Sequence, residues 1–110
     1  MSAGASVGVE PSPETILESS RLYLALKNVV AREGLAGVSI DCVRHTRGAE
    51  PALPFPCLAF SRLRDEGVAA PCEADLWSML SELLLEGVAH GPAFMGNVGE
   101  VNLAEGLTSL

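Results

Sequence analysis

A chain of 110 residues, with 48% hydrophobic and 19% charged side chains, has the length and composition of one folded domain with a modest core. Its 14 acidic against 7 basic residues give a formal charge of -7, which repels a phosphate backbone and leaves no basic stripe, so no nucleic-acid partner is expected. The most apolar stretch, 76–89, is interrupted by Glu82 and Glu86 and falls short of the roughly 20 residues that span a bilayer, so no membrane partner is expected either.

Residues 1–11 are small and nearly uncharged, without the basic and long apolar regions of a signal peptide, and read as a flexible leader. Ser12, Pro13 and Glu14 then follow the order of an N-cap, a first-turn proline and an acid facing the helix dipole. Ile16, Ser20, Tyr23, Leu26 and Val30 recur at helical steps and Gly34 offers a stop, which predicts a helix from Pro13 to about Arg32. Val38 to Val43 is a short, partly β-branched apolar run and predicts a strand with Asp41 near its carboxyl end. Three prolines, a glycine and mixed charges between Arg44 and Pro56 predict a loop.

Leu58, Ala59, Phe60 and Leu63 make one face of a short helix, Cys57 to Asp65, with Gly67 as its stop. Val68 to Cys72 predicts a second strand, despite Pro71, that delivers Glu73 at its end. Asp75 to Ala89 predicts a helix apolar nearly all round, which calls for cover on several sides and leaves exposed leucines if that cover is missing. Pro92 to Met95 predicts a third strand ending at Gly96 and Asn97, and 98–110 gives only weak signals. Alternation of this kind implies an α/β fold, a three-layer fragment of parallel sheet with flanking helices spanning residues 12–110. Ligands of such sheets bind outside the carboxyl ends of the strands, where Asp41, Glu73 and Asn97 are expected to meet.

Each polar residue also has an ordinary reading. Glu73 can be a helix-initiating acid stabilised by the dipole of the following helix, and Asp41 a polar strand end. His45 and His90 read as surface histidines. Cys42, Cys57 and Cys72, spaced fifteen residues apart, make neither a CxxC pair nor a secreted disulfide scaffold. They read as reduced thiols of a cytoplasmic protein, with Cys72 as packing. No glycine-rich phosphate loop occurs.

Four segments in this order resemble the L-fucose/L-arabinose isomerase family: Val38-Ser39-Ile40-Asp41-Cys42, Pro56 to Gly67, Cys72-Glu73-Ala74-Asp75-Leu76, and Pro92 to Asn97. The resemblance spans about residues 12 to 102 and reaches only the middle of a family chain. It implies a fragment of a metal-dependent aldose-ketose isomerase acting on a free sugar through an enediol. The family holds manganese or another divalent ion on a glutamate, an aspartate and a histidine. Glu73 falls on the glutamate, which is both ligand and catalytic group, and Asn97 falls where better-known members carry the aspartate. The family histidine has no counterpart here, so the isolated chain is expected to be inactive. Asp41 is expected to line the sugar pocket, and assembly into a homo-oligomer is a further implication. The rival from another class is a non-catalytic α/β interaction or regulatory module.

Overall fold

The computed structural model describes residues 11–44 and 54–109. The leader up to residue 10, His45 and most of the expected loop, 45–53, lie outside the described residues.

Helix α1 runs Pro13–Glu33. The Ser12 hydroxyl accepts the Thr15 N–H at 3.2 Å, Pro13 opens the first turn where its missing N–H costs nothing, and Gly34 ends the helix at φ 63°. Helix α2, Cys57–Asp65, has the bounds its sequence predicts and closes through Gly67 at φ 80°. It buries Ala59, Phe60 and Leu63 against α1, while Leu58 stays exposed. Phe60, Leu63 and Ala70 form the centre of the core, with Tyr23, Leu26, Val38, Ile40, Val68 and Cys72 packed around them. On the solvent side Tyr23 Oη and Lys27 Nζ both donate to Glu66, tying α1 to the end of α2.

The expected parallel sheet is not there. Segments 37–40 and 69–72 lie parallel, but they meet only in two isolated bridges, Gly37 to Ala69 and Ile40 to Cys72. Ala69 N–H donates to Ala36 C=O at 3.1 Å and Val38 N–H to Ala69 C=O at 2.8 Å. In this register Pro71 faces Ser39. Having no N–H, it cannot continue the ladder, and Ser39 Oγ donates to its carbonyl instead at 2.6 Å. The other edge of 69–72 is taken by side chains: Glu82 Oε2 accepts the Ala70 N–H at 2.8 Å and Met95 Sδ faces the Cys72 N–H at 3.2 Å. A third strand from 92–95 would need those donors, so 92–99 runs without regular structure. The fold is mostly helical, not a three-layer α/β sheet.

Helix α3 runs Leu76–Ala89 on the Asp75 N-cap, whose carboxylate accepts from Trp77 N–H, Ser78 N–H and Ser78 Oγ. Its one buried residue is Glu82, bound to Arg64 on α2, and Leu76, Trp77, Leu80, Leu84 and Val88 are exposed. Gly37 approaches this helix so closely that a Cβ there would sit 2.4 Å from Met79 Sδ and 2.9 Å from the Ala69 carbonyl oxygen. The chain ends in an antiparallel hairpin, β1 Glu100–Asn102 with β2 Leu107–Ser109. Its turn is held by Asn102 Oδ1, which accepts the Ala104 and Glu105 N–H groups. No helix among the described residues is long and apolar enough to cross a membrane.

Candidate functional site

After Cys72 the chain turns through Glu73 and Ala74 into the α3 cap. Asp75 N–H closes this turn on Cys72 C=O at 3.2 Å, and both central residues have positive φ, 61° and 54°. Glycine or asparagine normally fills such positions, and a non-glycine residue held in the left-handed region costs on the order of 1–3 kcal/mol. Three contacts hold the turn there: Ala74 N–H donates to Ile40 C=O at 3.2 Å, Asp75 is fixed as the α3 cap, and Asn97 Nδ2 donates to Glu73 Oε1 at 3.0 Å. The strained turn lifts the Glu73 carboxylate onto the rim of a cleft of about 240 Å³.

That cleft is walled by Cys42, Val43, Phe55, Cys57, Cys72, Met95 and Gly96 as well as by Glu73 and Asn97. Glu73 and Asn97, twenty-four positions apart in sequence, thus share one rim. Asp41 is not among the lining residues. Its Oδ1 accepts the Arg44 N–H at 3.1 Å, a local capping contact that occupies one of its two carboxylate oxygens. His90 lies at the far end of α3, where it takes the left-handed C-cap position.

The chemistry available on the rim is that of one carboxylate steadied by one amide. A hydroxyl group, as on a polyol, can donate to the open oxygen of Glu73 and accept from Asn97. A divalent ion is a different matter. Manganese or calcium-like cations take about six oxygen ligands, several of them anionic, and one carboxylate with one amide falls well short. No group of three or more His, Cys, Asp or Glu side chains among the described residues is placed to hold a metal. The described residues alone therefore do not fit the metal that the resemblance implies.

Burial pushes the Cys72 thiol above its usual range, and charge on Cys57, Cys42 and Glu73 pushes the same way against the pull of Arg64. The Ser78 hydroxyl and the first N–H groups of α3 hold the Asp75 carboxyl below the ordinary carboxylate range. Sequence reasoning missed the meeting of the three cysteines. Their only signal was position, since one follows each paired segment or closes it and one opens α2. It also missed the Arg64–Glu82 pair, for which an acid inside a leucine-rich helix was the available sign.

The chain matches no protein-family model, no curated protein and no solved structure.

Proposed function

We propose that the chain is a piece of an aldose-ketose isomerase of the L-fucose/L-arabinose isomerase type, with the Glu73–Asn97 rim as its contribution to a polyol site. The observation that supports this reading is the 3.0 Å contact between Asn97 Nδ2 and Glu73 Oε1, because it joins across twenty-four residues the two positions that the resemblance pairs. Glu73 supplies the proton acceptor that an enediol step needs and orients sugar hydroxyls through its free oxygen. Asn97 fixes the carboxylate rotamer but brings no charge and no base. The remaining ligands and walls of a complete pocket belong to a longer chain, in a cytoplasmic enzyme assembled from identical copies.

The test is titration of the isotope-labelled chain with L-fucose, L-arabinose and, separately, manganese, followed by NMR. Weak sugar-induced shifts are expected at Glu73, Gly96 and Asn97, with no ketose formed. Manganese broadening is expected to centre on the same residues, to strengthen with Asn97→Asp and to weaken with Glu73→Gln. Broadening centred elsewhere, or unmoved by both substitutions, overturns the reading.

The bare leucine face of α3, with Trp77 80% exposed, favours a second reading, a non-catalytic interaction module. Sugar-silent spectra together with concentration-dependent broadening along α3 would select it.

A further inference from the structure

The cysteines lie where sequence alone does not place them. Cys57 is the first residue of α2 and is exposed, and Cys72 closes the 69–72 segment and is half-buried. Both are walls of the same 240 Å³ cleft, open to solvent beside Glu73. Packing cysteines sit sealed among apolar side chains, whereas here the exposed Cys57 and the half-buried Cys72 line one open cleft, with only Cys42 buried in its wall. A dithiol that takes up and then releases a disulfide-bonded partner needs one accessible thiol and a second thiol facing the same space.

We propose that Cys57 and Cys72 form a thiol-disulfide exchange pair in this cleft, with Cys57 as the entry nucleophile, Cys72 as the resolving thiol and a small-molecule disulfide as co-reactant. Cys57 gives its proton to solvent and its sulfur attacks one sulfur of the co-reactant. The co-reactant S–S bond breaks and one small thiol leaves, taking up a proton. Cys72 then loses its proton, attacks the Cys57 sulfur and displaces the second small thiol. One disulfide is reduced to two thiols while two protein thiols become one disulfide, so electrons and protons balance. The backbone at Cys72 is held during this exchange by Met95 Sδ and by the turn into α3. The new bond spans α2 and ties its first residue to the turn that carries Glu73, so the oxidation state of the pair sets the shape of the rim. The inference does not depend on the isomerase reading, since no sugar or metal enters it.

Incubating the reduced chain with excess glutathione disulfide, followed by alkylation, digestion and mass mapping, tests it. Wild type should lose two hydrogens and yield a Cys57–Cys72 linked peptide that dithiothreitol reverses. Cys72→Ser should accumulate a glutathione adduct on Cys57. Cys57→Ser should give no linked peptide, with Cys72 modified roughly tenfold more slowly than Cys57 is in Cys72→Ser, as its lower exposure requires. A link between Cys57 and Cys42, a stable Cys57 adduct in wild type that never resolves, or equal modification rates in the two serine variants would overturn the proposal. The wild-type map decides the pairing even where a variant folds poorly.

Discussion

Helices α2 and α3 are neighbours joined through one ion pair, yet they are fastened by opposite means. In α2 the buried positions are Ala59, Phe60 and Leu63, none with any exposure, and the charged residues Arg62 and Asp65 face solvent. In α3 the sole buried residue is Glu82, 2% exposed, while Leu84 is 71% and Trp77 80% exposed. Glu82 Oε1 takes Arg64 Nε at 3.1 Å and Nη2 at 2.8 Å, and its other oxygen takes the Ala70 N–H. Apolar area holds α2, whereas two hydrogen bonds and an ion-pair contact to one carboxylate hold α3. Hydrophobicity along a helix therefore does not say which side faces inward when a buried donor elsewhere needs an acceptor.

The largest expected effect removes that acceptor. Glu82→Ala leaves a buried guanidinium and the Ala70 N–H without their carboxylate, at a cost of about 3–5 kcal/mol in urea unfolding. A loss below about 1 kcal/mol would mean that water replaces the carboxylate and that α3 is held in some other way. Next comes the α2 side of the comparison. Leu63→Ala should cost about 2–5 kcal/mol, as a fully buried leucine does, with Cm shifted at unchanged m value.

Acid sharpens the comparison at the start of α3. The folded pKa of Asp75 is lowered, so its capping contribution is fully present above the ordinary carboxyl pKa of about 3.9 and fades as pH falls through the folded value. Hydrogen exchange in the first turn of α3 should accelerate over that range before α2 responds, and Asp75→Asn should remove most of the pH dependence. Simultaneous loss of both helices would contradict separate fastening. The smallest effect belongs to the exposed face: Leu84→Ala should stay within about 0.5 kcal/mol. If it instead matches Leu63→Ala at high protein concentration only, α3 is covered in solution by another copy and the contrast with α2 vanishes.

Helix boundaries were legible because their causes are local. Ser12-Pro13, Gly34, Gly67 and Asp75 each act within a turn of their own position, and α1 and α2 come out within a residue of expectation. The sheet was not legible, because its failure lies in tertiary detail. Pro71 interrupts one edge, and Glu82 and Met95, distant in sequence, saturate the other. The terminal hairpin was missed because three-residue strands carry too little alternation, although Asn102 and Gly106 are ordinary turn signals. In the site, Glu73 and Asn97 meet although the sheet whose strand ends were expected to bring them together is absent, while Asp41 caps its own backbone. A short polar side chain beside a free N–H has that option in any fold.

The two glycines that end α1 and α2 have a consequence for chain direction. At Gly34 and again at Gly67 the backbone enters the left-handed region, and the next residue closes back on the helix: Leu35 N–H on Val30 C=O, and Val68 N–H on Leu63 C=O, both at 3.0 Å. The chain thus leaves both helices through equivalent exits, and each exit leads within three residues into one of the two parallel segments, 37–40 and 69–72. Equivalent exits are consistent with two segments that, though joined by only two bridges, one of them beside a proline, keep a constant offset. Substituting Val38 therefore thins the core without touching either exit, whereas a side chain at Gly34 or Gly67 strains the left-handed backbone of the exit itself.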